Sequence, residues 1–247
     1  MGKAGLVLRG LALSLGLLLA PAAASAAESA QFNALGFSED GRYFAFEQFG
    51  IQDGSGFPYS DIFLIDLDTD RFAGGTPVRA RIDDEDTALS AARQKAFAEA
   101  GEALNAHGIY RPALPIALRG DGELNDDGLT LSYGIPSWGL AETQGEFHLG
   151  LEIFKAPSAT NCEFFEGAPM GYALVRETEG QIDEIHRDTR VPTSRGCVIT
   201  YKFYGVFLPF GAYENTSAVA VLSVWSHGFE GPDRRFIALP VGERGTQ

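Results

Sequence analysis

The chain has 247 residues, 19 basic against 33 acidic, with a net charge of −14 and a pI near 4.6. That acidity excludes a nucleic-acid binder, which needs basic patches to neutralise phosphates. Hydrophobic residues make up 45% of the chain, ordinary for a packed domain and too many for disorder.

Residues 1–27 read as a secretory signal peptide. Lys3 and Arg9 supply the positive start, Leu11 to Ala20 the apolar stretch, and Ala24-Ser25-Ala26 a small-x-small site cut after Ala26 or Ala27. The apolar run stops at Pro21, well short of the roughly 20 residues a membrane span needs. The expected mature chain, 28–247, is one exported domain, secreted or periplasmic, with no membrane anchor. Loss of Lys3 and Arg9 leaves it 17 basic against 33 acidic residues, a charge of −16. Export sets the reading of Cys162 and Cys197, the only cysteines. An oxidising compartment favours a disulfide between them, and no CxxC spacing supports a metal pair.

Past the leader, Phe32 to Phe37 reads as a strand and Ser38-Glu39-Asp40-Gly41 as a turn, with Gly41 at the position that needs a positive φ. Residues 42–49, dense in aromatics, form the return strand. A glycine-rich loop follows over 50–60, then a strand at Asp61–Asp66, a turn at Asp68-Thr69-Asp70 and a strand over 71–82. Thirty glycines and twelve prolines exceed the average share, as many such turns require.

The pattern then becomes helical. Leu89, Ala92, Ala96, Phe97, Ala100, Ala103 and Leu104 recur at helical spacing, which predicts a helix over 86–106. The acidic run Asp83–Asp86 precedes it, where the helix dipole favours negative charge, and Gly108 follows as a C-cap. From there the strand texture returns, with strands expected at 114–119, 129–135, 146–154, 171–178, 181–188, 197–208, 217–226 and 234–241, and a hairpin at Glu179-Gly180. The expected fold is mainly β, an antiparallel sandwich or propeller-like set of sheets with one inserted helix.

Sequence motifs for chemistry are sparse. No Gly-x-Ser-x-Gly elbow presents a nucleophile, and no glycine loop with lysine cradles phosphate. Asp66-x-Asp68-x-Asp70 and Asp121-x-Glu123-x-Asn125-x-Asp127 alternate oxygens as calcium would want. Counting to the sixth and twelfth positions of a calcium loop gives Arg71 and Pro77 for the first, Asp126 and Ser132 for the second, where glycine and glutamate are required. The four histidines, His107, His148, His186 and His227, are scattered. No cofactor is expected.

Two longer stretches carry resemblances. Gly36-Phe37-Ser38-Glu39-Asp40-Gly41-Arg42-Tyr43-Phe44-Ala45-Phe46, followed by Asp61 to Leu67, resembles the blade repeat of TolB-like β-propellers, which implies a strand–turn–strand unit. The segments 41–47, 52–60 and 228–236 are similar to a family of secreted bacterial proteins catalogued as a domain of unknown function. That resemblance implies export and a shared fold and brings no activity with it. Its two loops hold the candidate binding residues Asp53, Phe57, Tyr59, His227, Phe229, Glu230 and Arg234, because loops on a rigid β scaffold are where binding residues sit. The reading is a non-enzymatic binding or interaction module whose partner is an envelope protein or a small ligand. The alternative is an envelope-associated hydrolase with carboxylates assembled in space.

Overall fold

The computed structural model describes residues 27–123, 127–137, 139–140 and 142–243. The segment read as a signal peptide, apart from Ala27, lies outside the described residues, as does Asn125 of the second acidic motif.

Three antiparallel sheets and one helix make up the fold. The front sheet is built from the N-terminal strands β1 (Gln31–Ser38), β2 (Tyr43–Ile51), β3 (Pro58–Asp66), β4 (Arg71–Phe72), β5 (Val78–Arg81) and β6 (Ile109–Arg111). Its order is β4-β3-β2-β1-β6, with β5 also paired to β3. The back sheet is a meander of β8 (Thr130–Pro136), β9 (Thr143–Lys155), β10 (Met170–Thr178) and β11 (Gln181–Arg187). The third sheet takes β7 (Ala113–Leu118) and the C-terminal strands β12 (Val198–Pro209), β13 (Val219–His227) and β14 (Pro232–Pro240), in the order β14-β13-β12-β7.

That third sheet lies in the middle of the stack. Along β13, Val219 and Val221 enter a core shared with Phe44, Phe46 and Phe63 of the front sheet. The alternate residues Ala220, Leu222 and Val224 enter a core shared with Leu149, Tyr172 and Leu174 of the back sheet. A strand buried on both faces reads as an unbroken apolar run rather than an alternation, and Val219–Val224 is that run save for Ser223. The helix α1 (Leu89–Ala106) covers the far side of the front sheet, with Ala96 and Ala100 packed on Ile62 and Ala80.

Local features follow the sequence closely. Gly41 takes φ 69° and closes the first hairpin. Gly36 takes φ 143° at a bulge where an added Cβ would stand 2.6 Å from the Arg111 carbonyl oxygen, so only glycine lets β6 approach β1. Glu179 and Gly180, both left-handed, turn β10 into β11.

Several boundaries differ from expectation for physical reasons. The helix starts at Leu89, not 86, because the Asp84 carboxylate accepts from the Asp86 N–H at 3.2 Å and the Thr87 hydroxyl at 2.7 Å. Those bonds hold 84–87 as a turn that competes with a helical start. The strand expected over 71–82 divides into β4 and β5 around Gly74 and Gly75. The loop over 50–60 is shorter, since β2 runs to Ile51 and β3 begins at Pro58. Pro58 suits the first residue of a strand, having no N–H to donate to the ladder.

Candidate functional site

The two loops read from the sequence meet in space. Asp53 Oδ2 accepts the Glu230 N–H at 2.9 Å, and the Phe229 ring covers Gly54. Phe229 is itself 84% exposed. Phe57 is half-buried, with the Arg81 guanidinium 5.9 Å from its ring centroid. The His227 ring stacks on Phe165 at 4.5 Å, and the His227 backbone N–H donates to the carbonyl of Cys197, which is disulfide-bonded to Cys162. The other two candidates sit deeper. Tyr59 is a core residue of β3, 5% exposed. Arg234 is 3% exposed, with Trp225 and Phe236 against its guanidinium, and it donates to the Ala30 carbonyl and to Asp121.

A larger concavity lies elsewhere, a cleft of about 980 Å³ where the front and back sheets extend past the edge strand β14. Its floor is Phe236, Ile237, Ala238 and Leu239. Phe236 and Ala238 belong to the front core, Leu239 and Ile237 to the back core. Only the rim of a strand shows both faces, so the cleft opens over the free edge of the central sheet. The front wall comprises Phe46, Phe63, Ile65 and Phe72, with Gln48, Asp61, Arg71 and Arg79 beside them. Tyr172, His186 and the turn Pro192–Arg195 form the back wall.

The back wall is a tight polar network. Asp188, 7% exposed, accepts from Arg195 at 2.7 Å, from the Tyr172 N–H at 3.2 Å, and pairs with His186 Nε2 at 3.0 Å. Burial alone would raise its pKa, but His186 and Arg195 outweigh that and hold it below the usual carboxylate range. Arg195 lies 5.1 Å from the Tyr172 ring centroid and 3.3 Å from the Tyr201 hydroxyl. The Tyr172 hydroxyl is buried and has no hydrogen-bond partner among the described residues, an unusual cost for a side chain lining a cleft.

Two carboxylates on the front side behave oppositely to Asp188. Burial pushes Asp61 up, against the opposing pull of Gln48, Arg79 and Arg235. Asp70 is open at the residue level, yet the protein around its carboxyl raises its pKa against the charges of His186 and Arg195. It holds φ 51°, a left-handed setting that costs a non-glycine residue free energy. Among the described residues no three of His, Cys, Asp and Glu converge as metal ligands.

The cleft residues come from nine separate segments, so no local motif announces them. One signal was present, the alternation Tyr59, Asp61, Phe63, Ile65 along β3, which places a carboxylate on a face that is otherwise apolar.

These features define a mainly β protein of three stacked sheets with a mixed aromatic and charged cleft. A family model described as "Predicted secreted protein (DUF2259)" matches residues 45–242, and the chain belongs to that family. No curated protein matches the chain. No helix among the described residues is long and apolar enough to cross a membrane.

Proposed function

We propose that the chain is an exported, non-enzymatic binding protein whose ligand sits in the cleft over β14. The observation that carries this reading is the cleft itself, about 980 Å³ and lined by Tyr172, whose buried hydroxyl has no hydrogen-bond partner among the described residues. Sites of this size with aromatic walls and a few placed polar groups are the usual form of a small-ligand pocket. The touching loops at Asp53 and Glu230 form a second, shallower surface suited to contact with an envelope protein.

The test is thermal unfolding against a library of short peptides and small polar and aromatic compounds, on the wild type and on Thr193→Trp, which fills the cleft from an exposed position. A ligand at 100 times its Kd adds about 2.7 kcal/mol, a rise of roughly 5–10 °C for a chain of this size. The reading expects such a rise in the wild type and none in the variant. A library that shifts neither protein refutes it.

Hydrolysis by carboxylates assembled in space is the second reading. Asp61 and Asp70 favour it, since both line the cleft with raised pKa values, as a general acid requires. Against it stands Asp188, the carboxylate held ionised, which is saturated by Arg195, His186 and Tyr172 and has no free oxygen to act as a base. Turnover of a cleft ligand that disappears in Asp61→Asn or Asp70→Asn while binding persists would establish this second reading.

A further inference from the structure

The backbone of β14 shows what kind of ligand the cleft is shaped for. The Val241 N–H donates to the Ala218 carbonyl, one step beyond the pair Val219–Pro240. Hydrogen-bonded pairs alternate along an antiparallel ladder, so the residues bonded to β13 are Leu239, Ile237 and Arg235. Arg234, Phe236 and Ala238 therefore turn their N–H and C=O groups away from β13.

The structure deals with most of these outward groups. The Arg234 N–H donates to the Glu28 carbonyl at 2.7 Å, and its carbonyl accepts the Ala30 N–H at 3.3 Å. The Phe236 N–H donates to Gln48 Oε1 at 2.9 Å, a side chain standing where a neighbouring strand would be. The edge then runs out of partners. The Phe236 carbonyl and both backbone groups of Ala238 make no hydrogen bond with a described residue. Ala238 is nevertheless 7% exposed and sits on the cleft floor. A row of unpaired N–H and C=O groups on a sheet edge is a ready template for another strand, so these three point to a partner with complementary groups at strand spacing.

The walls give the same answer. Stacked sheets lie about 10 Å apart, so front and back sheets, two layers apart, stand about 20 Å apart beyond the β14 edge. That gap admits one strand with side chains pointing to both walls. Arg71 and Arg79 line it and form no hydrogen bond or ion pair with a described residue through their side chains.

Resting on the cleft reading above, we infer that the ligand is an extended peptide segment of a partner, added to β14 as a fifth strand of the central sheet. Its backbone pairs with Phe236 and Ala238, its apolar side chains alternate between Phe63 and Tyr172, and an acidic side chain meets Arg71 and Arg79. This is strand addition, in which main-chain bonds give affinity and the pockets give specificity.

The test uses a synthetic mixture of random decapeptides, captured on the purified protein and sequenced by mass spectrometry. Recovered peptides are then titrated against the wild type, Thr193→Trp and Ala238→Pro. Proline at 238 removes an N–H that the β13 ladder does not use, a place where sheets accept proline. The inference expects binding about tenfold weaker or worse in Ala238→Pro. It also expects N-methylation of the peptide to abolish binding at alternate positions and spare the ones between, a readout independent of how the variant folds. Peptides lost in Thr193→Trp, unchanged in Ala238→Pro and indifferent to methylation phase would keep the cleft and overturn strand addition. A mixture yielding no peptide enriched over Thr193→Trp overturns it as well. The cleft reading fails separately, when the compound library is also without effect.

Discussion

Replacing Arg93 with alanine tests how α1 is fastened behind the cleft. Glu47 lies on β2 with its side chain fully buried, on the face opposite Phe46 and Gln48 of the cleft wall. The Arg93 guanidinium reaches it from the helix with two hydrogen bonds of 2.8 and 2.7 Å and stacks 3.9 Å over Phe49. Breaking a buried pair from one side costs about 3–5 kcal/mol. Asn33 and Ser60 still donate to the carboxylate, at 3.0 and 2.9 Å, so the lower end, about 3 kcal/mol, is expected. The loss also depends on pH. In the wild type, burial pushes the Glu47 pKa up, but Arg93, Asn33 and Ser60 together bring it below the ordinary value. Its contribution is then fully present above the unfolded pKa of about 4.3 and fades as pH falls through the folded value. Without Arg93, burial dominates and the folded pKa rises above the unfolded one, so stability is instead lost as pH rises. Urea unfolding of Arg93→Ala at pH 5 and pH 8 should show the larger deficit at pH 8, by about 1.4 kcal/mol for each unit by which the folded pKa comes to exceed about 5. A deficit equal at both pH values, or an unchanged midpoint, would refute this account of the helix anchor.

Reducing the Cys162–Cys197 bond, which closes a separation of 35 residues, should lower stability by about 3–4 kcal/mol. Non-reducing mass spectrometry of exported protein should find the two linked, and two free thiols would refute the bond. Tyr59→Ala should cost about 3–5 kcal/mol by emptying a core position, as for other buried aromatics. Phe229→Ser should change stability by less than about 0.5 kcal/mol, with calorimetry separating the two.

Much of the local architecture was legible because it is written in neighbours. Gly41 and Gly180 marked turns, the alanines 92, 96 and 100 marked the buried helix face, and the run from Val219 to Val224 marked a strand. The stacking of the sheets was not legible. β7 pairs with β12 across the whole back sheet, Ala113 opposite Pro209, and no local pattern encodes that choice. The same reason hid the cleft, whose Asp61, Tyr172, His186 and Arg195 approach only after the layers stack. Of the loop candidates, Phe229 is exposed and Asp53 half-buried, whereas Tyr59 and Arg234 gave no sign that one closes a core and the other ties the N-terminal segment to β14.

The middle position of the C-terminal strands also has a consequence for the order in which the chain is made. The phenylalanines of β2 and β3 find their cover on Phe207, Val219, Val221 and Phe236, residues that leave the ribosome last. Until they arrive, an aromatic sheet face of the first half stays wet, and β7 waits about ninety positions for its partner. A fragment ending before β12 would therefore be adhesive rather than merely unstable, because its aromatic sheet face has nothing to cover it.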